Sequence, residues 1–188
     1  MGFSNNKNEV LENTTPVEDF DWLVLMNGTV KITYYNGEDE DNEKIVIPAE
    51  IDGKKVTEIG KYAFADCTWI TSVTIPDTVT AIAEGAFSEC NMITSMHIPE
   101  SVTEIGDGAF ENCTSLASIN IPEGVTVIGG YTFEYCSSLT SITIPESVTE
   151  IGESAFYGCK SLTSINLPDS VKIGEDVFLG TPLEDKFK

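Results

Sequence analysis

The chain has 188 residues, with ten Lys, no Arg, 31 Asp plus Glu and a single His, which gives a formal net charge of -21 and a pI of about 4.1. Its 41% of apolar residues is enough to bury a core, which excludes a wholly disordered acidic chain and suits one domain or a short repeat array. So little cationic surface excludes nucleic acid and anionic membranes as partners.

Residues 1–19, MGFSNNKNEVLENTTPVED, read as a flexible N-terminal segment. They hold no basic stretch followed by an apolar run, so no signal peptide is expected in this chain, and Asn6 breaks the myristoylation pattern that Met1-Gly2 opens. No stretch approaches the ~18 apolar residues of a membrane span, so no membrane insertion is expected. Residues 20–44 read as a β-hairpin cap. Trp22–Met26 and Thr29–Tyr35 flank Asn27-Gly28, the signature of a two-residue hairpin turn.

From residue 45 to 181 the chain repeats itself, in about five full units and a partial sixth. Cys67, Cys90, Cys113, Cys136 and Cys159 recur at intervals of 23 residues, and the pairs Ile75-Pro76, Ile98-Pro99, Ile121-Pro122, Ile144-Pro145 and Leu167-Pro168 keep the same period. The first interval, from Ile47-Pro48, is longer because AEIDGKK inserts a polar loop. A fixed period of this size marks a solenoid. One unit, SLTSITIPESVTEIGESAFYGCK, points Leu139, Ile142, Ile144, Val148, Ile151 and Phe156 inward. Leu-x-x-Ile-x-Ile carries the alternation of a short strand, which stops at Pro because Pro cannot donate to a ladder. Ile-Gly then turns the chain, and Ala-Phe inserts the largest apolar group before a corner that ends in Cys. Such a rung cannot bury its faces alone, so neighbours must stack. The odd Cys count and the one-per-rung spacing make buried free thiols the expectation. Residues 182–188 read as a C-terminal tail or cap, where Thr181 replaces Cys.

Repeats of the form Ile-Pro-x-x-Val-Thr-x-Ile-Gly-x-x-Ala-Phe-x-x-Cys-x-x-Leu-Thr-Ser-Ile resemble BspA-like leucine-rich repeats, the Treponema pallidum type. The resemblance covers roughly residues 45 to 181. It implies a fold of the α/β repeat-solenoid class, mostly β: a right-handed leucine-rich-repeat solenoid with 23-residue repeats and an N-terminal hairpin cap. It also implies a non-catalytic module of a bacterial surface or secreted protein, which binds proteins or matrix in adhesion or interaction.

In leucine-rich repeats the strands form a concave sheet, and the residues between the inward positions face the concavity. Here one such column runs Lys44, Ser72, Ser95, Ser118, Ser141, Ser164, and its neighbour runs Val46, Thr74, His97, Asn120, Thr143, Asn166. Thr74, His97, Asn120, Thr143 and Asn166 are therefore candidate ligand contacts; repeated consensus filling an exposed sheet is the bland alternative. At the strand entrance Trp69 and Met92 stand where later repeats have Ser115, Ser138 and Ser161, and large apolar groups are typical contact anchors. Cover by the hairpin or by the inserted loop is the competing reading for that pair. Tyr62, Tyr131, Tyr135 and Tyr157 fall on the opposite side and need no function.

Acids form columns too. Asp77, Glu100, Glu123, Glu146 and Asp169 follow the Pro residues as a carboxylate ladder, and a solvated, solubilising face is the favoured reading. Calcium needs six to eight converging oxygens, more than a single exposed ladder offers, and the GEDEDNE run at Gly37–Glu43 lacks the Gly-centred EF-hand pattern. With His97 mid-strand and no Lys in the central repeats to act as a base, no catalytic site, metal site or cofactor is expected. The partner expected is a protein, with a glycan or cell-wall polymer on the same groove, or a passive spacer, as alternatives. The chain itself is expected to be a monomer, or a weak dimer through its solenoid ends.

Overall fold

The computed structural model describes residues 14–37 and 43–187. Residues 1–13 of the segment expected to be flexible, and most of the GEDEDNE run, lie outside the described residues. Residues 14–19 of that segment are tied to the first strands of the array. Thr15 donates its N–H to the Val46 carbonyl at 3.1 Å, and its hydroxyl accepts the Val46 N–H at 2.9 Å. A 3-10 turn, Val17–Asp19, then leads into the first strand.

Strands β1 (Phe20–Val24) and β2 (Val30–Tyr35) form the expected antiparallel hairpin, but its turn is longer than the Asn-Gly pair implies. The Leu25 N–H bonds the Thr29 carbonyl at 2.8 Å, and within the loop only Gly28 has a positive φ, 82°. A two-residue turn of the Asn-Gly kind needs positive φ at both central residues. Asn27 instead spends its side-chain carbonyl on the Thr29 N–H, at 3.0 Å. After β3 (Lys44–Val46), the inserted loop proves to be a second hairpin. Its strands are β4 (Glu50–Ile51) and the start of β5 (Lys54–Ile59), and they meet across Asp52-Gly53, whose φ values are 49° and 70°. The two-residue turn therefore occurs here.

From β5 onward each rung contributes two short strands instead of one. They are β6 (Ser72–Thr74) and β7 (Ala81–Ile82), then β8 (Ser95–Met96) and β9 (Glu104–Ile105), then β10 (Ser118–Ile119) and β11 (Val127–Ile128). The series continues with β12 (Ser141–Thr143), β13 (Glu150–Ile151), β14 (Ser164–Asn166) and β15 (Lys172–Ile173). The even-numbered strands from β6, together with β3, make the Ser-Ile column expected from the sequence. The odd-numbered ones from β5 make a second parallel column, on the segment read as a turn. That segment hides its strand because its inward residues, Val148 and Ile151 for example, lie three apart and show no alternation. It is held by ladder bonds between rungs, such as Thr103 N–H to Thr80 O at 2.9 Å and Gly106 N–H to Ile82 O at 2.8 Å.

Proline separates the two columns by a local rule. It ends the Ser-Ile strand for want of an N–H, and its own carbonyl accepts the N–H three residues on: Pro76 from Val79, Pro99 from Val102 and Pro145 from Val148, each at 3.0 Å. The third side of each rung is the Ala-Phe turn, with Thr132 before Phe133 and Val177 before Phe178 in place of Ala. There the N–H of one Phe bonds the next rung, as in Phe64 to Ala86 O at 2.8 Å and Phe133 to Ala155 O at 2.9 Å. Phe64, Phe87, Phe110, Phe133 and Phe156 are fully buried and stack with ring centroids 5.1 to 5.7 Å apart. Tyr35 and Phe20 close this stack at the hairpin, and Phe178 and Phe187 close it at the other end.

Both columns are interrupted. The second runs unbroken from β1 through β2, β5 and β7 to β9 and resumes only from β11 to β15, whereas the Ser-Ile column falls into the pairs β3–β6, β8–β10 and β12–β14.

Candidate binding surface

The outward positions of the Ser-Ile column stand in register as the spacing requires. Val46 pairs with Thr74, Ser95 with Ser118, Ser141 with Ser164, and Thr143 with Asn166. Thr74, His97, Thr143 and Asn166 are exposed, so their polar groups face solvent at fixed intervals. Asn120 differs from them. Its Oδ1 accepts the Ile98 N–H at 2.8 Å and its Nδ2 donates to the Ile98 carbonyl at 2.8 Å. In two other rungs a backbone carbonyl serves this N–H: Ile47 bonds Thr74 O and Ile144 bonds Asn166 O, both at 3.0 Å. The amide of Asn120 thus replaces a ladder bond between rungs, and both its ends are spent on Ile98.

One step further along, where β10 and β12 do not pair, an open cleft of about 360 Å³ lies over the column. Ser118, Asn120, Glu123, Ser141, Thr143 and Pro145 are among its lining residues. The structure therefore brings Asn120 and Thr143 together. Thr74, Asn166, Trp69 and Met92 are not among the cleft's lining. Trp69 is half-buried and packs against the core, with its indole N–H buried and without an acceptor among the described residues, while Met92 is 49% exposed on the neighbouring rung. Of the two candidate anchors, Met92 is largely exposed and Trp69 is not.

A larger cleft, about 490 Å³, opens over the second strand column, spanning Lys31, Glu58, Ala81, Glu104 and Val127 on successive rungs. The sequence reading missed it because that segment was not recognised as a strand. The available signal was Ala81 and Val127, the latter 45% exposed, where other rungs carry the charged residues Glu58, Glu104, Glu150 and Lys172.

Charge and chemistry elsewhere are consistent with support for the fold. All five Cys are free and buried. The thiols of Cys90, Cys113, Cys136 and Cys159 each donate to a Phe carbonyl of the preceding rung, at 3.0 to 3.1 Å. Burial pushes Cys67, Cys113 and Cys159 up to about 12 and raises Cys90 and Cys136 well above the usual thiol range. At pH 8 the folded chain should therefore react with a disulfide reagent about a thousandfold more slowly than the denatured chain, whose five thiols should all be titrated. Rapid native reaction of even one Cys would contradict the packing of that column. In the carboxylate ladder, Glu100 accepts the Glu123 N–H at 3.3 Å. Among the described residues no group of three or more His, Cys, Asp or Glu is arranged to hold a metal ion.

Comparison with known proteins agrees with this architecture. The model of the BspA type leucine rich repeat region matches residues 57–184 in six copies. The chain superposes on the T. pallidum leucine-rich repeat protein TpLRR with a TM-score of 0.77 at 29% identity, over 89% of each chain. It is also similar to a leucine rich cell surface protein of Faecalibacterium prausnitzii, with a TM-score of 0.75 and 33% identity, over 89% of this chain but only 46% of that one. A leucine-rich repeat protein of Bacteroides capillosus matches with a TM-score of 0.51 at 25% identity, over 82% of this chain and 98% of that one. No curated protein matches. With two strands and one Ala-Phe turn per rung, a 23-residue period and six matched copies, this chain belongs to the BspA type leucine-rich repeat family.

Proposed function

We propose that this chain is a non-catalytic protein-binding module of a bacterial surface or secreted protein, acting in adhesion or interaction through the face of its Ser-Ile column. Proteins of this repeat family are commonly surface-associated interaction modules, and the F. prausnitzii relative is described as a cell surface protein. The observation that supports the reading most is the exposed, regularly spaced row of Thr74, His97, Thr143 and Asn166, which adjoins an open cleft at Asn120 and Thr143. Hydroxyl, imidazole and amide groups on a rigid sheet suit the hydrogen-bonding rim of a protein interface. Met92, exposed at the strand entrance, adds an apolar contact.

The test is capture on immobilised chain from extracellular-matrix and cell-envelope extracts, followed by affinity measurement with the captured protein. The double substitution His97→Ala and Thr143→Arg should weaken binding at least about tenfold, the scale of one interface hot spot lost. Unchanged affinity would move binding off this face, and capture of a polysaccharide alone would favour a glycan ligand.

A further inference from the structure

The first rung after the hairpin holds a cation in a seat that a later rung repeats without one. Lys61 Nζ lies 2.7 Å from Glu84 Oε1 and 5.3 Å from the centroid of the Tyr62 ring, and the Tyr62 hydroxyl donates to the same Glu84 oxygen at 3.0 Å. The ammonium thus rests between an aromatic face and a carboxylate of the next rung, a favourable setting for a cation. Three rungs on, Tyr131 occupies the position of Tyr62, with the same left-handed backbone (φ 59° against 55°), and Glu153 occupies that of Glu84. The Glu153 carboxylate raises the Tyr131 hydroxyl, as Glu84 raises that of Tyr62. Where Lys61 would be, this copy has Gly130.

The surroundings are acidic and open. Asp107 accepts the Gly130 N–H at 2.9 Å, and Asp107, Glu111 and Tyr131 line a slot of about 160 Å³ that runs over Gly85 and Gly108 toward Tyr62. Interaction with the Glu153 carboxylate and the negative charge of Glu134 and Asp107 hold the Tyr131 hydroxyl above its usual range; at Tyr62 the neighbouring Lys61 works against the same effect. Glu111 and Glu134 are raised chiefly by partial burial and then by neighbouring carboxylates. No Lys or Arg occurs between Lys61 and Lys160 to relieve this charge.

We infer that Tyr131, Glu153 and Asp107 form a seat for a lysine or arginine side chain presented by a basic segment of a partner protein. The ring face of Tyr131 takes the cation, Glu153 pairs with it, and Asp107 adds charge from the rung before. This rests on the proposed function only in making the partner a protein, and the seat lies on the Ala-Phe side, away from the Ser-Ile column. Its test therefore uses a peptide and no captured partner, so a failure of either reading leaves the other legible.

The probe is an acetylated, amidated tetralysine peptide, titrated into the full chain while the Tyr131 ring resonances are followed at an ionic strength of about 0.15 M. Gly130→Lys should fill the seat from within, as Lys61 does. Gly130 lacks the positive φ that would forbid a side chain, and the nearest atom to an added Cβ is the Glu153 carbonyl oxygen at 3.3 Å. This variant should keep a cooperative melt and bind the peptide about tenfold more weakly. Glu153→Gln should weaken binding to a similar degree without filling the seat. Glu146→Gln, an exposed change in the carboxylate ladder that also alters the net charge by about one unit, should leave affinity within about twofold. Equal weakening by all three variants would reduce the effect to net charge, and unmoved Tyr131 resonances in the parent chain would overturn the seat.

Discussion

Replacing Phe110 with alanine is expected to lower stability by about 4 kcal/mol, the range for a large buried aromatic deleted from a close-packed core, and the melting temperature by roughly 10 °C. Phe110 is fully buried, and its ring is nearly parallel to its neighbours, 5.7 Å from Phe87 and 5.6 Å from Phe133 by centroid. Truncation removes one ring in mid-stack and leaves Phe87 and Phe133 each without a partner on the face that Phe110 covered. The rungs cannot close the gap, because backbone hydrogen bonds on two of the three sides set the spacing at each interface of this rung. Phe110→Leu should recover about half the loss, since most of the volume returns without the ring contacts. Urea denaturation of both variants checks this. A loss below about 1 kcal/mol for alanine would mean that the array relaxes freely between rungs.

Asn120→Ala is expected to cost about 2 kcal/mol although the side chain is only half-buried, because two backbone groups of Ile98 lose their partners together. Asn120→Asp should fare no better: a carboxylate still accepts the Ile98 N–H but faces the Ile98 carbonyl with a second oxygen. Replacing Thr143, exposed in the same cleft and with no such bonds, should change stability by less than about 0.5 kcal/mol. The contrast matters for function. Loss of ligand binding in an Asn120 variant must be read beside its thermal melt, whereas a Thr143 or His97 variant reports on the surface directly. Equal stability of Asn120→Ala and the parent chain would show that water or the next rung takes over both Ile98 groups.

Most of the fold is legible in the sequence. The 23-residue beat of Cys and Ile-Pro located the rungs, and Ile-Pro located the end of the Ser-Ile strand, because a residue without an N–H ends a ladder wherever it occurs. The hairpin cap was legible too, but its turn was not. Asn27-Gly28 and Asp52-Gly53 read alike as dipeptides, yet only the second has both φ values positive. Strand register and the side-chain bond from Asn27 decided between the two loop geometries, and neither is a property of two residues. The second strand column escaped notice because its two-residue strands have no alternation to show; they exist only where a neighbouring rung supplies their hydrogen bonds.

The candidate surface divides along the same line. Which residues point outward follows from strand periodicity, so Thr74, His97, Thr143 and Asn166 could be named from the one-dimensional pattern alone. What those residues are free to do could not. That Asn120 is spent on Ile98, that Trp69 turns into the core while Met92 remains exposed, and that Gly130 leaves beside Tyr131 and Glu153 the seat that Lys61 fills in its own copy, all depend on distances between rungs 23 residues apart in the chain. A repeat sequence sets the direction of each side chain by local backbone geometry, which is short-ranged. Whether a polar group meets a partner or solvent is settled only when the rungs stack, because hydrogen bonds and ion pairs form across that stacking and not along the chain.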